Sequence, residues 1–482
     1  MPSPCGRRCL LVACVAHCLF ANHWARDSLG ALEVPLESDA PYSLSSRRYN
    51  ALTSLYFLPN IGVPILAGVL AHRFGAAATY AAFFAIAAAG NGLVGASVAA
   101  GGGGAFGFLL IGRALMGIAY EAVDVLPIGF VSPRFRDTWT ALVGLLNGVN
   151  RLGSVTNFLL EPLLYRAGGL SLALSLPSAV GASGLLTALL AWRVDASLSR
   201  ADEAAAQRAE EEPVRTSLRS LPRVFFLFLL GGACVYGAVV PFWFIGAKHL
   251  QSRFGMPLAT ADALLLLPEG MIALVAPPFG LLMDRRRWSL TKRLYWSAAS
   301  LTPIPVALLL LAWLGPAVGP NVTTLAVGNS PPPAAPNLLA PALATLVLGT
   351  GYAFAQNLIW ASLTLVAPPK LLNLCSGLTG SSLNLLPSAL PLLFFGANSS
   401  TNLTTLAAVG AVGVAAYSWA AVESTARERP LLPAAATVAA AAPLTAAPDG
   451  DDFEERLDAL VEEAVQGERP RRTAGGGGRA AG

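Results

Sequence analysis

Apolar residues recur along nearly the whole chain in runs of about 20, the length needed to cross a bilayer as a helix. The pattern predicts spans at about 7–27, 49–71, 76–98, 105–131, 138–165, 169–192, 223–247, 258–283, 292–314, 338–366, 371–396 and 403–422. That makes twelve, divided six and six by the one long polar interior stretch, Arg193 to Arg223, which carries Asp202, Glu203 and Glu210 to Glu212. The expected organisation is a six-helix bundle at 1–192, a linker at 193–222, a second bundle at 223–424 and a tail at 425–482. An Ala/Pro stretch, an acidic segment and a Gly/Arg end make up that tail, which is expected to be disordered because it has no core to dock on.

Composition agrees. Hydrophobic residues are 54% of the 482 and charged residues 12%, half the charged content of a soluble domain. Mean hydropathy is +0.58. The net charge of +4 is too small to indicate nucleic acid as a partner. Distribution matters more than the sum, because basic residues in short loops orient a membrane protein. Arg7 and Arg8, Arg73, Arg134 and Arg136, the 193–223 linker, Arg285 to Arg287 with Lys292 and Arg293, and Lys370 all fall at one face, predicted cytoplasmic.

The opposite loops carry the sequons at Asn321, Asn398 and Asn402, the predicted glycosylation sites, and no Lys or Arg from 315 to 337 or 396 to 402. The first outer loop is an exception: Arg26, Arg47 and Arg48 are placed there, partly offset by Glu33, Glu37 and Asp39. The first span also has the outline of a signal peptide, with Arg7 and Arg8 ahead of a run ending near Phe20. Removing it would break the six-plus-six symmetry, so it is read as a span.

A short pattern occurs once in each half, 212 positions apart: Gly68 with His72 and Arg73, then Gly280 with Asp284 and Arg285. Paired basic turns between helices of duplicated halves are what a secondary transporter needs where its helices meet the cytoplasm. No phosphate-binding Gly-x4-Gly-Lys-Ser/Thr loop is present, which disfavours ATP-driven pumping. Covalent chemistry and a cofactor are not expected. Cys5, Cys9, Cys14 and Cys18 match no zinc spacing and read as small apolar packing residues.

Charges inside the spans are where function is expected, because an ionised group at bilayer depth costs several kcal/mol without a partner or a wet cavity. Glu121 and Arg151 stand out. Counted from Arg134 and Arg136 they lie about 20 Å and 22 Å deep, on adjacent helices. A carboxylate and a guanidinium facing one space can hold the two ends of a zwitterion such as an amino acid or short peptide. Equally, the two can pair with each other and fasten span four to span five.

Arg113 lies two turns before Glu121 on the same helix face and is a gating candidate, flanked by Gly112 and Gly117. Asp124 is placed to share the site, and Glu269 and Lys248 with His249 are further polar candidates. Tyr56, Tyr236, Trp243 and Trp360 can line a cavity or anchor at an interface. Glu428 with Leu431 and Leu432 loosely matches an acidic dileucine sorting signal.

Several runs resemble the major facilitator superfamily and its lysosomal dipeptide transporter branch. They are Arg48 to Asn60, Gly112 to Glu121, Arg151 to Asn157, Pro241 to Gly255, Ala276 to Asp284, and the set Tyr352, Trp360, Val366 and Pro368. The resemblance implies an all-α fold of twelve transmembrane helices in two six-helix bundles around a central cavity. It also implies uniport of dipeptides out of the lysosome or vacuole by alternating access, with the plasma membrane as the alternative site.

The branch's acidic and arginine substrate contacts fall on Glu121 and Arg151, and its further implied partners are a homodimeric copy and a glycosylated accessory membrane protein. The chain departs from the superfamily pattern at His72, where Asp is usual, at Ala76, where a basic residue is common, and in lacking a Gly in 382–387. A carrier of another organic anion or sugar, and a transport-inactive scaffold or receptor, remain as alternatives.

Overall fold

The computed structural model describes residues 4–39, 42–100, 102–206, 221–256, 258–314, 338–393 and 399–428. The tail from 429, including the dileucine pair, the middle of the linker at 207–220, and Asn321 and Asn398 lie outside the described residues. All regular structure among the described residues is helical. The helices named below are α1 (Pro4–Ala31), α2 (Ser46–Phe57), α3 (Val63–Phe74), α4 (Ala76–Ala100), α5 (Gly102–Val125), α6 (Trp139–Ala206), α7 (Arg223–Phe254), α8 (Leu258–Arg285), α9 (Leu290–Leu301), α10 (Pro303–Trp313), α11 (Leu339–Val366), α12 (Leu372–Leu393) and α13 (Ser399–Glu428).

Among the described residues, nine helices are long and apolar enough to cross a membrane, or ten when Leu55–Ile61, at the end of α2, and α3, bent by 54° across Gly62, count as one broken span. Two physical reasons bring the count to twelve. The continuous segment Arg136–Ser199 has 64 residues, about 96 Å of helix and some three times the bilayer core. It reverses at Gly168 and Gly169, the latter at φ 61, a left-handed backbone that glycine adopts without strain. The other missing span is α12, whose Asn373, Ser376, Thr379, Ser381, Ser382 and Asn384 lower its hydropathy while its length still spans. Helix α6 runs on to Ala206, so the first part of the expected linker is helical.

The first span is integral to the N-terminal half. Its helix α1 packs along both arms of α6: a Cβ on Gly153 would meet the Phe20 carbonyl, Asn157 donates to the Trp24 carbonyl at 3.0 Å, and Cys18 to the Gly184 carbonyl at 3.3 Å. Arg26, expected in an outer loop, lies within α1 instead, which reduces the exceptions to the charge rule.

The two halves meet through one crossing used twice. Gly68 of α3 abuts the Asn373 carbonyl and Leu374 Cα of α12, and Gly377 of α12 abuts the Pro64 carbonyl of α3. In the other pair, Gly280 of α8 abuts the Thr140 carbonyl and Ala141 Cα of α6, while Gly144 of α6 abuts the Ala276 carbonyl of α8. Glycine spaced four apart from its partner's contact point recurs at all four positions, so backbones touch where any side chain would hold them apart. These crossings lie at the end of the bundle that holds the basic turns.

Helix α5 shows how selective such contacts are. A Cβ on Gly117 would strike the Tyr56 backbone, whereas Gly107 of the same helix has open space around it. Gly117→Ala is expected to destabilise the detergent-solubilised protein by about 1–3 kcal/mol through overpacking. Gly107→Ala is expected to leave the melting temperature unchanged or raise it slightly, and a thermal unfolding series compares the two directly.

Candidate functional site

Arg151 projects from the first arm of α6 and is buried. Its partner is not Glu121. One terminal nitrogen of Arg151 donates to both carboxylate oxygens of Glu269, at 3.0 Å and 3.2 Å. Glu269 follows Pro268 in α8, where Gly349 of α11 packs against the proline ring's own backbone. The ion pair therefore joins the N-terminal half to the C-terminal half, between two side chains that are 6% and 8% exposed. A bond so buried repays its desolvation only with good geometry, and leaving either partner alone costs several kcal/mol.

Aromatic rings surround Arg151 on the C-terminal side. Tyr236 and Tyr352 act on it electrostatically, their rings 5.7 Å apart, and Trp243 stands edge-on to Tyr352 at 5.5 Å. Trp360 is buried and hydrogen-bonds Tyr236. Two donors here have no partner, Arg151 Nε and Trp243 Nε1. An orphaned buried donor costs about 1–3 kcal/mol, which an incoming acceptor would recover.

Glu121 is buried on α5 and makes no ion pair among the described residues. Its hydrogen-bonding neighbour is Asn384 of α12, and Arg151, Arg26 and Asp124 lie within electrostatic range. Glu121 and Arg151 thus share one region without being paired. Arg151 and Glu269 are paired there, and the unpaired Glu121 carboxyl lies within electrostatic range of Arg151.

Asp124, which also acts electrostatically on Glu121, and Tyr56 belong to a polar cluster within the N-terminal half. Asp124 accepts from Asn22 at 3.3 Å and Asn150 at 3.5 Å, and contacts His23 Nε2 at 3.0 Å. His23 Nδ1 is 3.3 Å from Ser154 Oγ. Arg26 forks onto Asp27 at 2.5 Å and 2.8 Å, donates to Ser154 at 3.1 Å and also reaches the Tyr120 hydroxyl. Arg113 stacks over Tyr56 at 4.1 Å and donates to the Arg26 carbonyl at 3.0 Å. His23 and Asp27 were not picked out by the sequence reading. Residues 23, 26 and 27 share one face of α1, a pattern visible once that helix is known to extend to Ala31.

At the basic end, the two repeated turns differ. Asp284 Oδ2 accepts the Ala141 N–H at 2.6 Å, capping the start of α6 from outside and placing a negative charge at its positive end. Arg285 points to solvent, as does Arg73. By the repeat, the counterpart of Ala141 is Leu374 and that of Asp284 is His72, which is exposed and makes no hydrogen bond among the described residues. One crossing is latched and the other is not. At the opposite end Asn402 lies in the first turn of α13, 5% exposed, so this conformation does not present it to a glycan-transferring enzyme.

A sequence profile of the Major Facilitator Superfamily matches residues 15–391. The chain belongs to the major facilitator superfamily. It is 23% identical over 406 residues to the human lysosomal dipeptide transporter MFSD1, covering 80% of this chain and 78% of that protein. Against the mouse protein of the same name identity is 26% over 401 residues, covering 76% and 80%. Among solved structures, the human organic anion transporter MFSD10 (TETRAN) superposes with a TM-score of 0.59 at 16% identity, covering 86% of this chain and 100% of that one. The transporter FucP in its outward conformation gives 0.57 at 14%, covering 85% and 98%. At such identities the structures carry the fold: this is a multi-pass, all-helical membrane transporter of the superfamily.

The unequal latches generate a prediction. His72→Asp places a carboxylate at the repeat counterpart of Asp284, beside the first turn of α12, and is expected to stabilise this closed arrangement by about 1 kcal/mol. Thermal unfolding should shift upward while flux in proteoliposomes slows, and any pH dependence imposed from the basic face should flatten. Unchanged stability and flux would mean that position 72 does not face α12.

Proposed function

We propose that this transporter carries dipeptides, or related zwitterionic amino-acid derivatives, out of the lysosome or vacuole by alternating access as a uniporter. The observation that carries the reading is that Arg151, paired with Glu269, lies within electrostatic range of Glu121, which makes no ion pair among the described residues. A substrate carboxylate competes with Glu269 for the guanidinium and uses the spare Nε donor. The substrate ammonium replaces Asn384 as the partner of Glu121. Trp360, Tyr236 and Tyr352 supply apolar faces beside the two charges.

Exchange of partners at Arg151 links cargo to movement. While Glu269 holds Arg151, the two halves are tied at α6 and α8. Transfer of Arg151 to the substrate loosens that tie, and the empty site re-forms it after release. Support for dipeptides as cargo, and for the lysosome, comes from the name of the relatives at 23–26% identity. A homodimeric assembly and a glycosylated accessory membrane protein belong to the same proposal, since the resemblance suggests both.

Uptake of labelled dipeptide into proteoliposomes tests the site. Arg151→Ala is expected to lower flux at least about tenfold, the loss of one charged contact, and Glu121→Gln to do the same for dipeptides. Glu269→Gln is expected to keep substrate binding, or tighten it, while lowering turnover, because Arg151 is freed but the tie is lost. Intact flux in Arg151→Ala contradicts the proposed site. Loss of an organic anion's transport in Arg151→Ala but not in Glu121→Gln would favour an anion carrier, and no flux of any solute by the wild type would favour a scaffold or receptor.

A further inference from the structure

The turn between α8 and α9 is built differently from its counterpart in the first half. Arg285, Arg286, Arg287 and Lys292 are all exposed within eight positions. The one acidic residue among them, Asp284, is committed to the Ala141 N–H. In the neighbouring turn the exposed Arg136 and Asp137 cancel. After Gly68 the matching segment offers only His72 and Arg73.

The turn is also held rigidly. Its backbone closes through Arg286 N to the Leu282 carbonyl, Arg287 N to the Asp284 carbonyl and Trp288 N to the Met283 carbonyl, at 3.0, 3.0 and 3.1 Å. Arg287 sits at φ 43, one of two non-glycine residues with positive φ among the described residues. Beneath the turn, buried Arg293 donates to the Trp288 carbonyl at 3.0 Å and the Ala361 carbonyl at 2.9 Å, tying it to α11. Trp288 is wedged against Phe279 and Trp296, at 5.7 and 5.2 Å, and Lys292 stands over its ring at 4.4 Å. Strain in an exposed loop persists only where its surroundings over-determine it.

We propose that this turn binds the headgroup of a polyanionic lipid, of the phosphoinositide class, in the leaflet at the basic face. Four outward cations on a fixed frame match a multiply charged headgroup better than a monovalent one. The N-terminus of α9, capped by Ser289, opens at the same place and favours an anion. The source is a lipid because the flank of the turn is made for hydrocarbon and interface: Tyr295 and Trp296 are 47% and 43% exposed, and Leu281 and Leu282 are 42% and 45% exposed. Asp284 and Trp288 belong to this turn, so a bound headgroup would also bear on the latched crossing.

Native mass spectrometry and thermal unfolding of the full chain, with vesicle lipids supplied as ligands, test this. A bis-phosphorylated phosphoinositide is expected to stay bound to the wild type and raise its melting temperature. R286Q/R287Q/K292Q is expected to weaken that binding about 100-fold, while R286K/R287K keeps it. In the wild type alone, rising salt is expected to lower the affinity steeply, a readout that depends on no variant folding. The proposal is overturned if phosphatidylserine at matched total charge binds as well, if the glutamine variant binds like wild type, or if the free inositol phosphate headgroup binds as tightly as the lipid.

Discussion

The interior of this protein is governed by the cost of keeping charge out of water. Arg151 cannot stand alone between two helical bundles, and its bond to Glu269 is the ion pair that ties the N-terminal half to the C-terminal half among the described residues. Everything around the pair is arranged on that condition. Pro268 and Gly349 set the position of Glu269, rings of Tyr236, Tyr352 and Trp243 stand beside the pair, and Glu121 makes no ion pair among the described residues. A bond that is strong when made and expensive when half-made suits a carrier, because only a replacement ligand can release it cheaply.

The second constraint is contact between backbones. The crossing of α3 with α12 and that of α8 with α6 repeat the same four glycine positions, so the ancient duplication survives as geometry as well as pattern. Electrostatics breaks the symmetry. Asp284 fastens one crossing and His72 leaves the other unfastened, so the two halves contribute unequally to closing the basic end.

Much of this was legible in the chain. Span lengths and the paired turns follow from local spacing, which a helix converts directly into distance. Helix α12 was readable from its place in a series even though its own polar residues dilute its hydropathy. The partner of Arg151 was not legible, because Glu269 is 118 residues away and nothing local says which bundle a buried cation faces. Arg26 was misplaced for a related reason: a charge near a span's end looks like a loop residue until Asp27, Ser154 and Tyr120 are seen to meet it. Burial of a network is a tertiary property, visible in one helix only as a polar face.

The central claim is that one substrate carboxylate replaces Glu269 on Arg151 while an ammonium meets Glu121. Binding of a dipeptide, its C-terminal amide and its N-acetyl derivative to the purified wild-type protein, compared by calorimetry, tests that exchange most directly. The account predicts that blocking either end weakens binding by about tenfold to a hundredfold, the worth of one charged hydrogen-bonded contact. Equal affinity for the free dipeptide and both blocked forms would contradict it.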